Sequence, residues 1–223
     1  MSVNEKNYKT ILEKTAAVKA TLVAVSKIKP VSDIKALYNL GQRDFGENYV
    51  QELVEKAAVL PEDIRWHFIG HLQSNKVKYI APFVHLIHGV DSEKLLFEID
   101  KQAQKNERVI DCLLQVHIAQ EATKFGFDEE EARIFISGIQ GYQQSGSLKH
   151  VRIRGLMGMA SFTDDTHQLI REFEALSLLY KNLRSGNANI DILSMGMSGD
   201  YELALRYGST MVRVGSLLFG ARV

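Results

Sequence analysis

The chain has 223 residues, 45% of them hydrophobic and 24% charged, enough apolar material for a folded core and too much for global disorder. Lys and Arg together number 27, as do Asp and Glu, so the formal net charge is zero; a general binder of nucleic acid or anionic membrane, which needs a basic excess, is disfavoured. Cys112 is the single cysteine, which excludes an intrachain disulfide and a Cys-rich metal site and reads, within the apolar run 109–116, as a small buried hydrophobe.

The N-terminus (MSVNEKNYKT) is polar and has no apolar signal core behind it. No stretch approaches the roughly 18–20 apolar residues that span a bilayer. The expected location is therefore the cytoplasm, without membrane contact. A helix is predicted over 5–19. Strands are then predicted at Thr21–Val25, 43–45, 66–69, 84–88, 109–117, 151–157, 190–194 and Met211–Val214. Most are continuous apolar runs rather than alternations, as in parallel strands covered on both faces. Helical stripes fall between them: Leu95, Leu96, Ile99 and Ala103; Ala132, Phe135, Ile136 and Ile139; Leu169, Ile170, Phe173, Leu176, Leu179 and Leu183 over 165–183; and a short helix over 201–207. The three prolines, Pro30, Pro61 and Pro82, fall in connections, and no linker or low-complexity segment divides the chain. Eight strands alternating with helices in one domain, 1–223, predict an α/β fold, a single (β/α)8 TIM barrel with an extra N-terminal helix. A doubly wound open sheet is the alternative, because periodicity does not reveal ring closure.

In a barrel, functional side chains gather just after the strands. Lys27 follows the first strand almost directly. An amine beside apolar walls loses preference for its charged form and becomes nucleophilic, as a Schiff-base lysine must; on position alone, a solvated surface lysine is the commoner meaning. After the seventh strand, Ser194-Met195-Gly196-Met197-Ser198-Gly199-Asp200 leads into a helix, and the eighth ends in Arg213-Val214-Gly215-Ser216. Small residues there expose backbone N–H groups, and barrels frequently hold phosphate on these two loops. Either Gly-rich turn alone is weak; both together, opposite a strand-one lysine, suggest a phosphate monoester. Neither G-x-G-x-x-G after the first strand nor G-x-x-x-x-G-K-[ST] occurs, which disfavours Rossmann dehydrogenases and P-loop NTPases. His67, His71, His85 and His88 cluster around strands three and four, but few carboxylates are expected at inward positions. A metal site is therefore not expected, and structural or pocket-lining histidine is.

Several segments then converge on one family. They are Val23-Ala24-Val25-Ser26-Lys27 with Pro30; Phe45-Gly46-Glu47-Asn48 with Gln51-Glu52; His67-Phe68-Ile69-Gly70-His71-Leu72-Gln73 with Asn75-Lys76; and Lys124-Phe125-Gly126-Phe127. Gly155-Leu156-Met157-Gly158-Met159, Ser194-Met195-Gly196-Met197-Ser198 and Gly208-Ser209-Thr210-Met211-Val212-Arg213-Val214-Gly215 follow in order. Over nearly its whole length the chain resembles the YggS/PROSC family of pyridoxal-phosphate-binding, or PLP homeostasis, proteins; Ala160 and Gly199 depart from its common pattern. The resemblance implies a barrel similar to the N-terminal domain of alanine racemase, with pyridoxal 5'-phosphate (PLP) at its mouth. It implies Lys27 as the Schiff-base lysine and Ser198, Gly215 and Ser216 as phosphate-binding positions. Arg213 would meet either the pyridine ring nitrogen or the phosphate, and Asn48, His71 and Met157 would line the pocket.

A guanidinium does not give up its proton, so a ring nitrogen facing Arg213 stays unprotonated and is a poorer electron sink than a pyridinium. Racemisation would further need an acid/base group on the opposite cofactor face. Alanine racemase draws that group from a second domain and the facing subunit, and the end of this chain at Val223 leads us to expect neither. The expectation is thus a non-catalytic PLP carrier in vitamin B6 homeostasis, without catalytic residues, with apo-PLP enzymes as recipients, and monomeric. The alternatives are a PLP-dependent amino acid racemase using Tyr49 or His71, and an aldolase-like Schiff-base enzyme on a phosphorylated sugar. Lys124 and Lys149 are read as exposed lysines rather than holders of a second PLP.

Overall fold

The computed structural model describes residues 3–118, 126–144 and 146–220. Eight strands close into one all-parallel barrel in chain order, β1 (Thr21–Val25), β2 (Asp44–Glu47), β3 (Arg65–Phe68), β4 (Leu86–Val90), β5 (Ile110–Val116), β6 (Val151–Gly158), β7 (Ile192–Ser194) and β8 (Met211–Val214). The ring is completed by β1 against β8, with Val23 opposite Arg213 and Ala24 opposite Val214. Helices α2 (Val31–Asn39), α3 (Val50–Ala57), α4 (Val77–Ile80), α5 (Glu93–Lys105), α6 (Glu129–Gln144), α7 (Thr166–Gly186) and α8 (Tyr201–Arg206) follow successive strands, α9 (Ser216–Phe219) follows β8, and α1 (Glu5–Ala17) precedes the barrel. The (β/α)8 barrel with an N-terminal helix is therefore the fold, and the open-sheet alternative falls on the β1–β8 pairing.

The helical stripes read from the sequence do the packing. Leu95, Leu96, Ile99 and Ala103 of α5 are buried, as are Phe173, Leu176 and Leu179 of α7, whose N-cap Asp165 accepts hydrogen bonds from the amides of His167 and Gln168. Each such Leu or Ile contributes about 1.5–3 kcal/mol, and the cap about 1 kcal/mol. Outward strand residues such as Phe45, Trp66, Phe68 and Leu156 join this helix-facing core, which includes the buried Cys112. Inside the barrel a smaller apolar cluster, Val23, Leu86, Leu113, Met157 and Met211, fills part of the ring.

Strand bounds differ from expectation where glycine resembles punctuation. β2 continues through Gly46 and Glu47 because both pair with β3, opposite His67 and Phe68. β4 likewise starts later than expected and runs through Gly89 to Val90. Among the described residues no helix is long and apolar enough to cross a membrane, and no group of three or more His, Cys, Asp or Glu is placed to hold a metal ion.

Candidate functional site at the barrel mouth

The turn carrying Lys27 leaves β1 under constraint. Ser26 N donates to Gly46 O (3.0 Å) and Lys29 N to Ser26 O (3.0 Å), closing a tight turn in which Ile28 has φ +62°. A β-branched residue pays about 1–2 kcal/mol for that left-handed backbone, so other groups must hold it. They come from β2 and α3. Glu52 Oε1 accepts from Ile28 N (2.6 Å); Lys56 Nζ donates to Ser26 O (2.7 Å), Glu47 Oε1 (2.7 Å) and Glu52 Oε1 (2.6 Å); and the Ser26 hydroxyl donates to Glu47 Oε1 (2.6 Å). Glu47 and Lys56 are buried. Burial pushes the Glu47 carboxyl above its ordinary range, against the pull of Lys56 and Ser26. This buried ion pair aims the start of the Lys27 turn into the mouth.

The opposite wall comes from the turns after β7 and β8. Gly196 has φ +96°, and a Cβ there would lie 2.6 Å from Ala204 Cβ, so the turn requires glycine. Asp200 Oδ1 accepts from Met197 N (2.5 Å), closing the loop, and burial raises the Asp200 carboxyl. Ser198 Oγ accepts from Gly215 N (3.1 Å), which joins the two turns. Arg213 is 4% exposed, and its guanidinium donates to the Ser194 hydroxyl (2.6 Å) and Gly158 O (3.0 Å), both neutral. Burial lowers it to about 10, with Asp200 pulling the other way. Among the described residues it forms no ion pair, so a buried cation here is left for an anion or other acceptor to complete.

These walls enclose a cavity of ≈ 580 Å³ at the C-terminal ends of the strands. Of the residues named from sequence, Lys27, Asn48, Ser198, Arg213, Gly215 and Ser216 line it. Asn48 is held there because Gly70 packs on its backbone: a Cβ on Gly70 would lie 2.3 Å from Asn48 O. Asn48 Oδ1 is buried and, among the described residues, has no hydrogen-bond partner. His71 and Met157 are not in the lining: His71 bonds Asp91 (3.1 Å), and Met157 sits deeper, in the apolar cluster inside the barrel. Met159, just past the end of β6, packs against the same cluster and lines the cavity instead, with Ile69, Asp200 and the fully exposed Phe162. Inward alternation could have found Met159 and Ile69; nothing in the sequence marks Phe162. Lys149 lies outside the cavity lining, and Lys124 lies outside the described residues. The expectation of few inward carboxylates is corrected at β2 and β5, where Asp44 and Asp111 lie beside His67 and His85 at the opposite end of the barrel; strand register, invisible in sequence, brings them together.

The family model described as alanine racemase, N-terminal domain, matches residues 4–223. A pyridoxal phosphate homeostasis protein of Pasteurella multocida is 40% identical over 206 residues, covering 90% of this chain and 86% of that protein. The chain belongs to the pyridoxal phosphate homeostasis protein family. Another member, from Schizosaccharomyces pombe, is 39% identical over 90% of this chain and 84% of its own length. Among solved structures, PipY of Synechococcus elongatus with PLP bound superposes with a TM-score of 0.78 at 34% identity, covering 94% of this chain and all of that one (100%). The alanine racemase of Streptomyces coelicolor, at 15% identity and TM-score 0.76, shares the fold, and this chain covers 57% of it.

Proposed function

We propose that this member of the pyridoxal phosphate homeostasis family binds PLP at the barrel mouth and serves as a non-catalytic carrier of the cofactor. The observation that carries the reading is the convergence of Lys27, from the turn after β1, with Ser198, Arg213, Gly215 and Ser216, from the turns after β7 and β8, on one cavity. Among the described residues the buried Arg213 has no anionic partner and Asn48 Oδ1 no hydrogen-bond partner, which fits a ligand that brings both negative charge and a hydrogen-bond donor.

In this reading Lys27 would hold the cofactor through its aldehyde, and the Ser198 and Ser216 hydroxyls with the amides around Gly215 would hold its phosphate. Arg213 keeps its protons and offers donors only. When bound, PLP supplies a reactive aldehyde and an electron-withdrawing ring. Both side chains named as a second base for racemisation lie outside the cavity lining, and Tyr49 is 56% exposed, which favours holding over turnover.

The protein incubated with PLP is expected to absorb in the visible, to be trapped irreversibly by borohydride, and to lose both properties in Lys27→Ala. A wild-type chain that stays colourless with PLP removes the cofactor reading. The carrier role is tested by mixing PLP-loaded protein with an apo-PLP enzyme: recovery of that enzyme's activity is expected, and no recovery overturns the role. Incorporation of solvent deuterium at Cα of an amino acid would replace the carrier with a racemase.

A further inference from the structure

The barrel interior is not wholly apolar. One line of hydrogen bonds crosses it, from a cavity of ≈ 320 Å³ at the N-terminal ends of the strands to the mouth. His67 Nε2 lies 3.0 Å from Asp44 Oδ1, and His67 Nδ1 lies 3.0 Å from His88 Nε2. His88 Nδ1 lies 3.1 Å from Ser194 Oγ, which accepts from Arg213 Nη1 at 2.6 Å. The five residues come from β2, β3, β4, β7 and β8, and none is more than 8% exposed. Nothing in the site described above requires the three residues most remote from the mouth.

We propose that Asp44, His67, His88 and Ser194 form a one-directional relay that positions the Arg213 guanidinium at the mouth. The direction follows from counting donors. An ionised carboxylate only accepts, so His67 carries its proton on Nε2. Neutral His67 then has a bare Nδ1, which accepts from His88 Nε2–H. That leaves His88 Nδ1 bare, to accept the Ser194 hydroxyl proton. The Ser194 lone pairs are thereby turned toward Arg213, whose N–H they receive. The reverse arrangement, with His88 Nδ1–H donating to Ser194, requires one more proton on the pair, making either His67 or His88 doubly protonated.

The surroundings hold Asp44 ionised and His88 neutral, the two conditions that the forward arrangement needs. Burial pushes Asp44 up, but the hydrogen bonds from His67 and Arg65 outweigh it and hold the carboxyl at about 2. Burial, then His67, Arg213 and His85, keep His88 well below its ordinary range. Arg65 also pairs with Asp44 (2.5 Å), and His85, Arg65 and Asp111 are the other titratable or charged groups around His67 and His85 at this end, with Lys19, Arg154 and Asp191 around the cavity. Asp44, His67 and His88 are thus positioning residues, acting through Ser194, and not catalytic ones.

Histidine ¹⁵N NMR on the PLP-free protein near neutral pH tests the relay directly. Both His67 and His88 are expected as neutral Nε2–H tautomers. In Asp44→Asn, whose amide can donate or accept, the fixed tautomer should be lost at His88 as well as at His67, although His88 does not touch residue 44. A doubly protonated His67, an Nδ1–H His88 in the wild type, or a change confined to His67 overturns the proposal. Arg65→Gln removes the other partner of Asp44 and should leave both tautomers in place, separating the relay from the ion pair. Ser194→Ala, a small change, cuts the line next to Arg213. It and Asp44→Asn should each weaken PLP binding several-fold while borohydride trapping at Lys27 persists; unchanged affinity in Ser194→Ala overturns the link to the mouth. That link rests on the PLP reading, whereas the tautomers do not, so wild-type protein that fails to bind PLP would remove the reading and leave the NMR result to decide the relay.

Discussion

At Ile28 a β-branched side chain occupies left-handed backbone while remaining 63% exposed. Little apolar burial offsets the strain, so the conformation persists because Glu52 accepts its amide proton and Lys29 closes the turn on Ser26. Ile28→Asn, which tolerates this backbone, is expected to raise unfolding free energy by about 0.5–1 kcal/mol in urea titration; a loss of stability would show that the Ile28 side chain holds the turn. Lys27 itself was visible in the sequence through its place after an apolar strand. Its φ-strained neighbour was not, because nothing in the order Ser26-Lys27-Ile28 signals a left-handed residue. Met157 and His71 mark the same limit at the other walls: alternation names a strand face, but the depth along the barrel axis at which each side chain sits depends on register.

Among elements, α3 acts on the site without lining its cavity. Its Lys56 and Glu52, with Glu47 of β2, clamp the turn that carries Lys27. Lys56→Met is expected to cost about 3 kcal/mol, because it leaves Glu47 buried without its cation. The sign of the pH dependence follows from Glu47: its carboxyl is raised in the folded chain, so the folded state holds the proton above the pH at which the unfolded state releases it, and stability falls as pH rises through that range. Removing Lys56 widens the range, so the deficit of the variant should be larger at pH 8 than at pH 5 in parallel urea titrations. An equal deficit at both would mean that Glu47 is not the charged partner left behind. The segment Phe45-Gly46-Glu47-Asn48 with Glu52 was conspicuous in sequence, yet its role as a brace emerges only once α3 folds back onto β2.

For the molecule as a whole, buried histidine sets the response to acid. His88, fully buried, is held well below an ordinary value of 6.5, chiefly by burial, and the more exposed His85 is lowered by its partial desolvation, so the unfolded chain binds protons there that the folded chain refuses. The stability that His88 lends is full above pH 6.5 and is lost as pH falls below it, by about 1.4 kcal/mol for each pH unit over which only the unfolded state is protonated. Asp44, held at about 2 against 3.8, adds a second loss as pH falls below about 4 toward 2. Unfolding free energies at pH 7.5 and 5 should therefore differ, and the difference should shrink in His88→Gln; an unchanged slope would place the acid sensitivity elsewhere. Sequence by itself determined the order of strands and helices, the loops that carry lysine, glycine and serine, and the absence of nucleotide-binding loops, because periodicity and turn chemistry are local. Only the tertiary structure decided ring closure, the meeting of the β1, β7 and β8 turns around one cavity, and the line from Asp44 to Arg213. Each of these joins residues up to 190 positions apart, such as Val23 and Arg213, and parallel register brings them into contact in a way that no local pattern encodes.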